Sequence, residues 1–456
     1  MQAYYDVVVN SGGSPVNGAS VFVYDAAGAL ATIYSSSTPV AAEVLASNGT
    51  PYFLSPLLLV PQANPIVTGA DGRYIFFAQN GVYSVVITAS GYNTKTLTVA
   101  LDDPDDAPGI TYTTYTTSPN NLVNAASLQP KVPTTNGDLI LLPKGNGALL
   151  AQVPTGTAAG GNKRGQYAVD FQRARSSAAS VASGNYSALI GGNNNRATGL
   201  RAANIGGASN NAAGTDSALV GGLSNSTSGA YATTVGGNSA TAAGSYSTIV
   251  GASLSSAQGD FSVVVGGDTN YGGGFVSAII GGNANETTAD YATVVGGSRG
   301  TDRGIKAIYV VPASFHPIED KNGVSQTAIL VLGSQTTNAT PTQITCDGGP
   351  ASTNNQLVLS DNSAVYFKGS VIANITGAGN TKSWTFDGQI KRGANAASTT
   401  LTGSTVASPY GDAGASTWTV ALAADTTNGG LAVTVTGQAS TTIRWVCRLE
   451  TTEVSY

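Results

Sequence analysis

Residues able to do chemistry are few in this chain, and most stand alone. The single histidine, His316, has Glu319 and Asp320 nearby. Zinc sites need three or four converging ligands, so this trio reads as a polar loop, and neither metal nor cofactor is expected. Any Ser-His-Asp triad would have to use that same histidine. No Gly-x-Ser-x-Gly elbow and no phosphate loop followed by lysine occurs. Glycan hydrolysis asks for less, two carboxylates about 5–9 Å apart. Asp361, Asp387, Asp412, Asp425, Glu450 and Glu453 are available for it. Isolated acids beside glycine or asparagine are usually turn formers, so the expectation is a protein that is not an enzyme. A polysaccharide depolymerase is kept as an alternative. Cys346 and Cys447 are too few for a disulfide scaffold and are expected as free thiols.

Recognition chemistry is better represented. Saccharides dock on exposed aromatic faces beside Asn, Asp and Ser side chains. Tyr366, Tyr410 and Trp418 are the candidate ligand-binding residues. Trp384 alternates in step with Phe386 and Ile390, which marks it as core. The basic cluster Lys163, Arg164, Arg173 and Arg175 reads as local contacts, with pairs to Asp170 expected between subunits. The net charge of −5 offers no basic field for nucleic acid, and no apolar run is long enough for a membrane helix. The start, Met1-Gln-Ala-Tyr-Tyr-Asp, carries no secretory pattern, so synthesis in a cytoplasm is expected.

These residues must be held by something, and a repeat provides it. From Gly184 a glycine returns every 15 residues through Gly274, with Ala289 in the next slot. Seven residues after each comes a glycine pair, from Gly191-Gly192 to Gly296-Gly297, with Gly251-Ala252 in the fifth of the eight copies. The slot before the pair is always β-branched: Ile190, Ile205, Val220, Val235, Val250, Val265, Ile280 and Val295. Two short strands and two turns fit such a unit, which predicts a parallel β-solenoid. Stacked at about 4.8 Å, eight turns give roughly 40 Å of shaft. The β-branched column is expected inside the roll. Its neighbours on the other face include Leu189, Leu219, Ile249, Val264, Ile279 and Val294, and are also apolar. A thin roll buries one face only, so this second face is expected at a contact between copies with cyclic symmetry.

The flanks read as β structure too. Residues 1–101 hold short alternating segments, Tyr4–Asn10, Ser20–Tyr24, Leu30–Tyr34, Arg73–Phe77, Val82–Ala89 and Asn93–Leu101, which predict a β-sandwich. Residues 36–65 look like an extended insertion. Residues 102–160 are a proline-rich linker that opens with an acidic run, and 161–183 form a neck. The repeat occupies 184–299. Residues 300–456 contain about eight further strand-like segments and all three tryptophans, which fits a jelly-roll or related sandwich. The whole is all-β.

Segments such as Gly229-Ala-Tyr-Ala-Thr-Thr-Val-Gly-Gly237 and Gly244-Ser-Tyr-Ser-Thr-Ile-Val-Gly251 resemble the head repeats of trimeric autotransporter adhesins and the similar repeats of bacteriophage tail fibres. The resemblance implies a left-handed roll and an elongated homotrimer. Pro15–Tyr24, Asp71–Phe76 and Gly81–Ile87 resemble a prealbumin-like module, and the N-terminal module of some tail fibres, which attaches to the virion. Thr337–Thr342, Lys391–Asn395 and Asp425–Val433 resemble tail-fibre tips, which bind host surfaces. The function this implies is a phage tail fibre: a virion protein held by a tail or baseplate protein at 1–101 and meeting a host glycan or outer-membrane component at 300–456. A collar, whisker or baseplate spacer without a ligand is the alternative, and a tailspike depolymerase the second.

Overall fold

The computed structural model describes residues 2–34, 43–45, 51–53, 61–62, 64–78, 81–101, 110–115, 125–130, 140–313, 318–377 and 379–456. His316, the acidic run at 102–108 and most of the expected insertion at 36–65 lie outside them. The described residues are β structure and turns with two short 3-10 helices, and none lies in an α-helix. The chain divides into two compact units, Met1–Leu141 and Leu142–Tyr456.

In the first unit, strands Gln2–Val7, Arg73–Ala78, Ile33–Tyr34 and Pro61–Gln62 form one sheet in that order. Lys95–Leu101, Gly81–Thr88, Ser20–Tyr24 and Ile66–Val67 form a second. Val21, Val23, Ile33, Phe76 and Val85 are fully buried in a common core. Alternation on Ser20–Tyr24 and Arg73–Ala78 supplies the inward side chains, which is why these segments were legible.

The second unit is built on a parallel β-solenoid. Each turn pairs with the next at an offset of 15 residues, as in Ala188↔Ala203, Leu189↔Asn204 and Ile190↔Ile205. A second ladder runs through Arg196–Ala197 and its equivalents, and single bridges from Asn193 through Ala208 to Ser298 add a third. The main ladder starts before the repeat, at Leu149–Leu150 and Val169–Asp170, and runs beyond it to Tyr309–Pro312. The expected linker and neck therefore contribute turns of the coil.

Glycine at the repeat start has a definite cause. A Cβ on Gly229 would sit 2.0 Å from the carbonyl oxygen of Gly244 in the next turn, and the same holds from Gly184 through Gly274 at 1.9–2.1 Å. Here only glycine lets neighbouring turns approach. In five of the coils the turn that closes the strand is stapled by a buried asparagine, and Ala240 and Ser255 take that slot in two others. Asn195 Nδ2 donates to the Gly206 and Gly207 carbonyls at 2.9 and 3.1 Å. Its Oδ1 accepts from the Asn210 amide at 3.0 Å, and Asn210 and Asn225 repeat the pattern. These bonds satisfy the side-chain amides of the buried asparagines.

The two faces of the repeat strand are the reverse of those expected. Leu189, Leu219, Ile249, Val264, Ile279 and Val294, expected at a contact between copies, are fully buried inside the roll. Ile190, Ile205, Val220, Val235, Val250, Val265 and Ile280, expected as its core, face outward with 38–49% of their surface exposed, and Val295 is half-buried in the same column. The reason is interior width. Opposite the inward Leu and Ile stand only small residues such as Ala197, Ala212, Ala242 and Ala257, and beside them Ser187, Ala202, Ser217 and Ala232, all buried. A roll this thin holds one medium side chain per turn, and the companion slots must stay small. The outward column keeps its β-branched character because those side chains suit an extended backbone.

At the turn before each strand, Tyr186, Arg201, Asp216, Tyr231, Tyr246, Phe261, Val276 and Tyr291 share a left-handed backbone with φ of 53–60°. Tyr231, Tyr246 and Phe261 stack at 4.7 Å between ring centres. Arg201 and Asp216 replace the rings at their turns with a bidentate ion pair, 2.5 and 2.6 Å. At the start of the coil Arg164 Nε meets Asp170 at 2.6 Å with both side chains buried, and Arg175 joins them at 3.7 Å. The pairs expected between subunits are thus made within one chain.

The main sheet then continues antiparallel through Ser325–Thr336, Ile443–Ser455, Ser363–Asn374, Thr381–Arg392 and Thr400–Gly411. A smaller sheet of Thr342–Gln343, Gly430–Thr436, Leu357–Val358 and Thr419–Asp425 accompanies it. Both contribute to a core that runs without a break from Ala232 in the solenoid to Leu449. Trp384, Trp418 and Trp445 sit together in that core, Trp445 lying 5.5 and 5.9 Å from the other two rings. Neither cysteine is bridged; Cys447 is buried and its thiol is pushed up to about 12.

Candidate functional site

The long strands of the second unit present one face to the core and one to solvent. On Ser363–Asn374 the solvent face carries Tyr366, Lys368, Ser370 and Ile372, and on Ile443–Ser455 it carries Val446, Arg448, Glu450 and Thr452. Strand register turns these into rows. Glu450, Lys368, Asp387 and Thr405 stand side by side across four strands. Arg448, Ser370, Thr385 and Ala407 form the next row. The two rows line a groove of about 450 Å³.

Glycines shape its floor. Gly369 and Gly388 occupy inward positions on adjacent strands. A Cβ on Gly369 would meet the Phe386 ring at 2.4 Å, and one on Gly388 would meet the Phe367 ring at 2.6 Å. The rings fill the space under bare backbone, and a bulge between Ser383 and Thr385 bends the sheet beside it.

The charged groups of the groove are already engaged. Glu450 accepts from Lys368 at 3.0 Å and from Arg448, and Asp387 accepts from the Thr405 hydroxyl. Lys368 first, and then Arg448, hold the Glu450 carboxyl below the usual carboxylate range against the opposing effect of partial desolvation. It is therefore ionised at neutral pH. Lys368 and Arg448 remain 63% and 60% exposed along their side chains, so the array faces solvent.

The three aromatic candidates do not form one site. Tyr366 is half-exposed and stands one row beyond Lys368, on the groove's rim. Tyr410 is 77% exposed and pairs across to Ser383, one row beyond Thr385, on the opposite rim. Trp418 is 1% exposed, with its indole N–H on Gln438 at 3.3 Å, so it is a core residue and not an exposed ligand platform. Trp418 directly precedes Thr419–Asp425, and its ring packs 5.9 Å from Trp445 of the large sheet. Trp418→Ala is expected to cost about 3–5 kcal/mol of stability, as large buried aromatics do. Tyr366→Ala should leave the melting curve nearly unchanged, and calorimetry on both variants checks the pair.

The six carboxylates considered for hydrolysis also separate. Asp361 pairs with Arg392 at 2.7 Å, and Asp412 accepts from the Thr381 amide at 2.8 Å. Asp425 holds the Thr427 and Asn428 amides of its turn. Glu453 is buried against Arg303 and Gln326. Only Asp387 and Glu450 meet on one surface. Lys368, Ser370, Thr385, Thr405 and Arg448 were missed from the sequence, because only strand register brings them together. The even spacing of Tyr366, Lys368 and Ser370 on one predicted strand was the available signal.

No protein-family model matches the chain. No curated protein matches it either. Among solved structures it is similar to the tailspike protein of Acinetobacter baumannii phage AM24, with a TM-score of 0.15 and 9% identity over 60% of this chain. The match spans 52% of that chain, about half its length.

Proposed function

We propose that this chain is a homotrimeric phage tail fibre that attaches its virion to a host surface through residues 300–456. The observation that carries the reading is the outward β-branched column. It leaves a line of half-exposed Ile and Val along the solenoid. Apolar surface of that extent is rare on a monomer and marks a contact. The same column on two further copies is the natural cover, in keeping with the repeat's resemblance to tail fibres and trimeric adhesins. Residues 1–101 would hold the tail or baseplate.

The groove need not be lost in such a trimer. Its sheet leaves the solenoid at Tyr309–Pro312, and three strand steps lead to Ser363–Asn374. At roughly 20–25° of twist per step, the outer face there is expected to turn about 60–75° from the column. Three grooves on one particle gain by effective concentration what each lacks in affinity.

The test is adsorption of the purified full chain to host cells, with mass by light scattering. A trimer that adsorbs and competes with phage supports the reading, and a stable monomer or a non-adsorbing trimer removes it. A tailspike depolymerase is the second reading, favoured only by Asp387 and Glu450 flanking Lys368. Two strand spacings separate their backbones by roughly 9–10 Å, near the wide end for inverting hydrolysis. The ionised state of Glu450 argues against it as general acid, and new reducing ends from host polysaccharide would establish the enzyme.

A further inference from the structure

We propose that the groove between Tyr366 and Tyr410 binds an uncharged, hydroxyl-rich saccharide, with Asp387 and Glu450 as its acceptors. The inference rests on the reading of residues 300–456 as the host-binding end, and it names the ligand class of that end. Three observations carry it.

The first is charge balance. Lys368 and Arg448 oppose Asp387 and Glu450 within two rows, and both cations are already engaged by Glu450. A sugar carboxylate or phosphate would have to displace Glu450 from two cations and leave that carboxylate unpaired. Because both cations are solvent-exposed, exchanging one anion for another at them returns little. A neutral ligand leaves the pairs intact and uses their remaining lone pairs and N–H groups.

The second is the alternation of donors and acceptors. Along one row the order is acceptor Glu450, donor Lys368, acceptor Asp387, hydroxyl Thr405. Successive groups stand at strand spacing, about 4.8 Å. Vicinal hydroxyls each donate and accept, so a sugar edge can meet such a row without leaving a group unmatched. Ser370 and Thr385 offer the same dual chemistry in the second row.

The third is the rim. The two exposed tyrosines lie three rows apart, about 20 Å along the strands, with the polar rows between them. The floor is backbone at Gly369 over the edge of Phe386, flat enough for the C–H face of a pyranose ring. A polar floor between aromatic rims fits an oligosaccharide better than a peptide, whose side chains would need pockets that the two rows do not form.

The experiment uses the full chain on a glycan array of neutral hexose and deoxyhexose oligosaccharides beside uronic-acid, sialylated and phosphorylated ones. Parallel arms test Asp387→Asn, which keeps shape and removes charge, and Ser370→Trp, which fills the groove from the solvent face. Both variants are first required to melt with the parent. The expected result is binding to at least one neutral glycan, weakened about tenfold or more in each variant. It should change less than about twofold between low and high salt. Hits confined to acidic glycans, neutral binding untouched by both variants, a steep salt dependence, or no neutral hit at all would each overturn the proposal. Adsorption of the same proteins to host cells separates the two readings. If the parent and both variants adsorb equally, attachment stands and the groove is wrong. If the parent binds neutral glycan but not cells, the groove stands and attachment falls.

Discussion

Gly229→Ala is expected to disrupt the solenoid at mid-length, while Gly236→Ala, seven residues away, is tolerated. The added methyl at Gly229 would lie 2.0 Å from the Gly244 carbonyl oxygen and 2.6 Å from its carbon. Those atoms belong to the backbone of the next turn, which is itself fixed by the Gly259 approach at 2.1 Å. No side chain can swing away, so the turns must part and the ladder between them opens. Overpacked cores commonly lose 1–3 kcal/mol, and a clash with backbone should exceed the top of that range, about 3 kcal/mol or more. Gly236 is different. Its φ is +65° and a Cβ there meets nothing within 4 Å. Its substitution carries only the left-handed backbone cost, about 1–2 kcal/mol. The turn on the other side of the strand holds Tyr231 and Tyr246 at φ of 59°, so the coil accommodates side chains in that conformation. Thermal unfolding of the two variants checks the contrast. Equal falls in Tm would mean that the turns do not approach as closely as the backbone indicates.

The two glycines show how the sequence was informative and where it stopped. A strict 15-residue period can only arise if every turn makes the same contacts with the next, so the parallel solenoid and its register were legible. The long C-terminal strands were legible for a related reason. Alternation over a dozen residues, as in Thr381–Arg392, leaves one element and one inward face. The repeat strand has only three residues and both faces are apolar, so alternation named two faces without saying which was inside. The better signal was strictness. The slot at Ser187, Ala202, Ser217 and Ala232 never exceeds serine in size in any of the eight copies. By contrast, the slot one residue later, at Ala188, Thr233 and Val263, also admits the larger Thr and Val. Confined space demands small residues, and β-branched character alone does not indicate burial. The groove was the least legible feature. Arg448 and Asp387 are 61 positions apart in the sequence and meet through three strands whose order no local pattern reveals.

The reversed faces yield the sharpest test, because neighbouring residues should fail in opposite ways. Ile249 is fully buried, whereas Val250 is 38% exposed in the outward column. Ile249→Asp places a carboxylate among Ala242, Ala257 and Val264, where no cation is at hand. An unpaired buried charge of this kind should cost about 3–5 kcal/mol, and the roll should lose protease resistance around that turn. Val250→Asp leaves the interior untouched, and the isolated chain should change by no more than about 0.5 kcal/mol. In the proposed trimer it gathers three carboxylates on an apolar contact, so association should fail while the β signal in circular dichroism persists. Light scattering would then give 45.5 kDa for Val250→Asp and three times that for the parent. If Ile249→Asp folds normally, the inward column is misassigned. If Val250→Asp remains a trimer of unchanged stability, the outward column is not the surface through which copies meet, and some other face must cover it. Opposite outcomes at adjacent positions cannot come from general sensitivity of the repeat, because both changes add the same carboxylate to the same strand.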